Sequence, residues 1–280
     1  MKSSTYQAIY QLPMMTMSTK HLPNEPMPSS HDICDFLSDY GGWLLGSGAT
    51  CIRMEKNISR IAEAYGKRTS LTITPHHVHI SVLNPDDSTV TTAIADTKTS
   101  TVSFNIITHL SRLSWEIADK QITFSEARAK FRQITTSDRQ NIATVLILAS
   151  LANASFCRLF GGDGIAMLIA GIATFCGFYI KYRLTAIKTD IRISVFISAF
   201  VSTVIGATDY LFSLGTTPAV TIGTSILYLI PGVPFLNSFS DMLYRYYICS
   251  FSRFMDAMIL TASLSAGLCA AMLLMNVDMF

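Results

Sequence analysis

Apolar residues are distributed in two different ways along the chain. From residue 141 they form five long blocks: "NIATVLILASLANASFCRLF" (141–160), a block at 164–182, "ISVFISAFVSTVIGATDYLF" (193–212), "TTPAVTIGTSILYLIPGVPFL" (216–236) and "FMDAMILTASLSAGLCAAMLLM" (254–275). Each approaches the roughly 20 apolar residues that a helix needs to cross a bilayer. No charge lies between Asp209 and Asp241, whereas a helix on a soluble domain needs a wet face. Residues 31–136 read differently. Met54, Ile58, Ile61 and Tyr65 repeat at helical spacing, after a glycine-interrupted helical stretch from residue 31. "SLTITPHHVHISVLNPDDSTVTTAIAD" reads as two or three strands, with "NPDD" as a turn. A helix follows from about Ser103, and "TFSE" (123–126) is a capping box that opens another. The pattern predicts a membrane α-helical bundle of five transmembrane helices (137–280), preceded by a small cytoplasmic α/β domain (31–136) and a disordered tail (1–30).

Charge supports the division. Of 280 residues 14% are charged and half are hydrophobic, against about a quarter charged in soluble domains. Residues 1–140 carry 14 of the 21 Lys/Arg, 13 of the 19 acids and every Glu and His. The first 30 residues lack the apolar core of a signal peptide. Lys181 stands at the end of the second block, with Arg183, Lys188 and Arg192 between it and the third, and Arg245 and Arg253 fall between the fourth and fifth; the opposite connections are nearly bare. The positive-inside pattern then predicts a cytoplasmic N-terminus and an outside C-terminus.

The candidate chemistry is sparse. Six scattered cysteines form no CxxC and no zinc spacing. In "HHVHIS", His77 and His79 would share a strand face with His76 opposite, but no third ligand stands at a useful spacing, so a polar strand face is expected and no metal. There is no P-loop, GxGxxG, nucleophile elbow or basic-aromatic cluster. No cofactor, enzymatic activity or nucleic-acid partner is expected.

Two stretches carry a resemblance. "GGWLLGSGATCIRMEKNISRIAEAYG" resembles the opening motif of the threonine/serine exporter family, a small-residue turn followed by Ser-Gly-Ala, an Arg-x-Glu pair and a helix ending in Gly. "YLIPGVPFLNSFSDML" is similar to that family's proline-glycine-proline membrane motif with its Asn and Asp. The resemblance covers about residues 31–277. Because the chain stops after five predicted spans, it resembles the split, YjjP-type form. It implies a secondary exporter in the bacterial inner membrane, working as a hetero-oligomer with a small membrane subunit of the YjjB type. The split form implies a succinate-like dicarboxylate as cargo, the fused form threonine or serine.

The residues suggest where such a function would sit. Pro231, Gly232 and Pro234 would break the fourth span near its cytoplasmic end. A helix resuming after Pro234 would offer its positive end, with Asn237 and Ser238 on its first turn, to a small carboxylate. The alternative is a plain helix end at the interface. Asp209 is a candidate proton-coupling carboxylate or a cap at the outer end of the third span. Asn153, like Asn141 and Ser155, could line a path or bridge helices. Arg53, Glu55 and Asp241 are candidate contacts between the cytoplasmic and membrane parts, with Asp241 and Asp256 expected at a wetted inner interface.

Overall fold

The computed structural model describes residues 27–84, 89–98, 102–136 and 141–277. Residues 1–26 of the predicted tail and most of the "NPDD" turn lie outside them, while Ser29 and Ser30 of that tail cap and begin the first helix. The first half opens with helices α1 (Ser30–Gly46) and α2 (Cys51–Ala64). Strands β1 (Arg68–Ile73), β2 (His77–Leu83) and β3 (Val90–Asp96) form an antiparallel sheet in that order. Helices α3 (Phe104–Ala118) and α4 (Phe124–Thr136) follow. Strand alternation sets the sheet's faces: Val78, Ile80 and Val82 are buried, while His77 is exposed and bonds Asp96 at 2.8 Å. Among the described residues no group of His, Cys, Asp or Glu is arranged to hold a metal. The capping box is formed: Glu126 accepts from the Thr123 amide at 2.8 Å, and the Thr123 hydroxyl accepts from the Glu126 amide at 3.3 Å.

The core joins Ile33, Leu37, Tyr40 and Leu44 of α1 to Met54, Ile58 and Ile61 of α2, to β2, and to Leu110 and Leu113 of α3. Tyr40 donates to the Leu110 carbonyl at 2.7 Å. Gly46 lets α1 lie against the strap after β3, since a Cβ there would overlap the Lys98 carbonyl. The same core takes in Cys249 and packs against Tyr246, from the far end of the sequence.

The second half is helical: α5 (Ile142–Leu159), α6 (Gly164–Ala186), α7 (Ile191–Phe212), α8 (Pro218–Ser225), a 3₁₀ turn (Leu227–Leu229), α9 (Gly232–Leu243) and α10 (Tyr247–Leu274). Among the described residues four helices, α5, α6, α7 and α10, are long and apolar enough to cross a membrane. The count is five if Pro218–Leu229 and Gly232–Leu243, bent by 60°, form one span. Outward faces are apolar, with Leu148, Leu151, Leu168, Ile248, Phe251 and Leu273 exposed. Asn141 is the N-cap of α5, its side chain accepting from the Ala143 amide at 3.0 Å.

Two helices outrun their sequence blocks. α6 continues to Ala186, which places Arg183 in helix rather than in a connection. α10 begins at Tyr247, because the charge of Arg253 that interrupted the apolar pattern is neutralised by Asp241 inside the protein.

Candidate functional site

The fourth block is broken where the prolines stand. α8 tightens into the 3₁₀ turn, Ile230 is extended (φ −60°, ψ 125°), and Pro231 is the N-cap of α9 (φ −79°, ψ 56°). Pro231 has no amide to donate, and the Gly232 amide turns back to the Ile230 carbonyl at 2.8 Å. A Cβ on Gly232 would meet nothing within 4 Å, so space adjoins the break. α9 starts at Gly232, before Pro234, because proline's fixed φ suits a first helical turn, where the missing amide has no helical partner to lose. Asn237 and Ser238 therefore fall on the second turn and not at the positive helix end.

Both side chains are engaged. Asn237 donates to the Gly48 carbonyl at 2.7 Å. Ser238 and Ser250 exchange hydroxyl-to-carbonyl bonds of 2.8 Å, which tie α9 to α10. One turn on, Asp241 is fully buried, against the wetted position expected of it. It accepts from the Cys51 amide at 2.8 Å and lies 3.0 Å from Arg253 Nη1. Thr50 makes no side-chain cap, so Asp241 supplies from α9 the negative charge that the start of α2 favours. Arg253 Nη2 reaches the Ala49 carbonyl at 2.8 Å. Tyr246 donates to Glu55, and burial followed by this bond to Glu55 raises the tyrosine's pKa. A hydrogen bond shared with Cys249, together with burial, raises that of the Cys51 thiol. Glu55 and Asp241 thus touch across the two halves, while Arg53 is exposed. Asp256, on α10, is also exposed.

Above the break runs a polar seam. Asn153 (α5) donates to the Thr174 hydroxyl (α6) and, at 2.9 Å, to the Thr224 carbonyl (α8). Ser202 (α7) donates to the Ala173 carbonyl at 3.1 Å and lies 3.0 Å from the Tyr228 hydroxyl. Gly177 makes room for that pair, because a Cβ would overlap both oxygens. The buried Ser198 and Thr203 hydroxyls have no partner among the described residues. Two carboxylates flank Gly215 at the other end. Asp209 is fully buried and accepts from Thr221 and, at 2.7 Å, from the Gly215 amide. Asp163, the N-cap of α6, accepts from the amides of Ala166 (2.7 Å) and Thr216 (2.6 Å). Those bonds hold its pKa down at about 2.

Sequence reasoning singled out Asn153 and Asp209 from this seam and missed Asp163, Thr174, Ser202, Thr224 and Tyr228. The four-residue spacing of Ser194, Ser198 and Ser202, all buried, was a signal available on α7.

Long apolar helices around a polar seam, one helical segment being broken, are the architecture of a multi-pass membrane protein. Residues 35–275 match the family described as "Putative threonine/serine exporter" (ThrE), and the chain belongs to that family. It is similar to the "Probable succinate transporter subunit YjjP" of Klebsiella aerogenes, with 24% identity over 82% of this chain and 89% of that protein. The Escherichia coli (strain K12) protein of the same name is 23% identical over 83% and 90%. A "Probable threonine/serine exporter" of Mycobacterium tuberculosis is 22% identical over 80% of this chain and 43% of its own length. No solved structure matches.

Proposed function

We propose that the chain is one subunit of a secondary exporter of small carboxylate metabolites, succinate-like in preference to threonine or serine, and that it works in the bacterial inner membrane with a separate small membrane subunit of the YjjB type. The carboxylate binds at the break, on the backbone of Pro231, Gly232 and the Pro234 turn. Asn237 and Ser238 act by holding that turn in place. Asn153 lines the seam above it, and Asp209 carries the coupling proton. The N-terminus is cytoplasmic and the C-terminus outside.

The observation that carries this reading is the 60° break in an apolar segment that bears no charge before Asp241, with open space beside Gly232. Irregular backbone at membrane depth is tolerated where it lines a cavity or is covered by protein. Family membership supports export, and the similarity to two succinate transporter subunits supports the dicarboxylate and the second subunit.

The test is efflux of labelled succinate and threonine from vesicles holding this chain, the small subunit, or both. Succinate efflux from the pair alone is the expected result. Efflux by the small subunit alone would favour a second reading, in which this chain regulates its partner. The bonds that Asn237 donates to the Gly48 carbonyl and Asp241 accepts from the Cys51 amide give that second reading its support.

A further inference from the structure

α3 and α4 form a groove in the first half of the chain, away from the broken helix. Asn105, His109, Arg112 and Glu116 follow one another at spacings of four, three and four, which places them on one face of α3. That face, with Lys130 and Gln133 of α4, lines an open cavity of about 330 Å³. Small-molecule sites span roughly 300–1,000 Å³, so the space suits a small ligand. Leu113, which is buried, and Ile134, which packs against the core, add an apolar wall.

The polar groups of the lining are unequally matched. Glu116 is its one acid, and Lys130 meets that carboxylate at 2.7 Å. Arg112 is left as the uncompensated charge, since among the described residues its side chain makes no ion pair and no hydrogen bond. The same holds for the side chains of Asn105, His109 and Gln133. A guanidinium offers five donors and no acceptor, and each amide offers two donors more. Packing on α2 employs a different face of α3. Ser111 accepts from Asn57 at 3.1 Å, Ser114 accepts from Arg60 at 2.7 Å, and Arg60 lies 3.7 Å over the Trp115 ring. The groove face is therefore the one that the fold leaves without a partner, and it gathers donors around one net positive charge.

We propose that this groove binds a small organic carboxylate, with Arg112 as its anchoring cation. Arg112 takes a carboxylate through paired N–H bonds. Asn105, His109 and Gln133 supply donors to a second carboxylate, and the carbon chain lies on Leu113 and Ile134. The choice of succinate as the first ligand to try rests on the exporter reading above; the anion and its apolar body rest on the groove alone. The site lies in the half of the chain that grips α9: α3 holds α2 through Asn57 and Arg60, and the first amide of α2 holds Asp241. It is thus placed to read the level of the cargo.

The test is calorimetric titration of the full chain in detergent with succinate, dimethyl succinate and inorganic phosphate. Succinate should bind saturably and the uncharged ester should not. Phosphate, with no carbon chain for the apolar wall, should bind more weakly than succinate. Arg112→Gln should raise the Kd for succinate by about tenfold to a hundredfold, the loss of one charge-assisted contact. Glu116→Gln, which frees Lys130, should lower it, a gain that a merely structural role would not produce. Arg132→Gln, on an exposed α4 position outside the groove, should bind as wild type. Succinate should also shield Arg112, and not Arg132, from phenylglyoxal, read by mass spectrometry. An unchanged Kd in Arg112→Gln, or no shielding of Arg112, overturns the groove and leaves the exporter reading intact. Binding of phosphate as tight as that of succinate overturns the carboxylate assignment. Absence of succinate and threonine flux in the wild-type pair, with Arg112-dependent binding present, overturns the exporter reading and leaves the groove standing.

Discussion

Asp241 shows how one residue can serve two halves of a chain. Its carboxylate caps a helix 190 positions earlier in the sequence and neutralises Arg253 on the next helix. Asp241→Ala would leave a mostly buried guanidinium unpaired and should cost about 3–5 kcal/mol, read as a lower thermal midpoint in detergent. Adding Arg253→Leu should restore part of the loss, since the unmet charge goes with it. Asp163 gives a pH prediction. Its pKa in the folded protein is about 2, below the unfolded carboxylate value of 3.8. Its contribution is therefore complete above pH about 4 and is lost as the pH falls from there through about 2. Asp163→Asn should flatten the acid limb of stability in that window, measured by thermal midpoints from pH 6 to pH 2.

At the scale of elements, the break and its neighbours are the sensitive points. Pro231→Ala with Pro234→Ala restores two backbone donors and should let α8 and α9 straighten. Succinate efflux should fall while the amount of protein in the membrane stays unchanged. Gly177→Ala should force α6 away from Ser202 and Tyr228, lowering both stability and flux. Ser202→Ala with Tyr228→Phe should relieve the overlap in part. Much of this was legible in the sequence. "TFSE" gave a real capping box, the three strands followed their alternation, and Pro231 to Pro234 marked a true break. The start of α9 was misjudged because proline is as good in a first turn as it is bad in an interior. The position of Asp241 was misjudged because its partners, Cys51 and Arg253, come together only in the fold.

For the molecule as a whole, the second half has apolar clusters of its own, yet the core of the first half is completed from the second. Cys249 lies in the N-terminal core and donates to the Ile73 carbonyl at 3.3 Å, with Tyr246 packed beside it. Residues 27–136 alone should therefore expose the surface around Ile73, Ala49 and Cys51. They should bind a hydrophobic dye or associate, and a well-behaved monomer with full amide protection at the start of α2 would count against a shared core. α9 has consequences beyond its own contacts. It has 12 residues, about 18 Å of rigid rod. If it pivots at Pro231, a swing of about 10° carries the far end through about 3 Å, enough to separate hydrogen-bonded atoms. The near end at Gly232 would scarcely move. The rod is thus a lever with its fulcrum at the break and its long arm in the grip of the first half of the chain, so a small torque applied by that half turns the whole of α9 about Pro231.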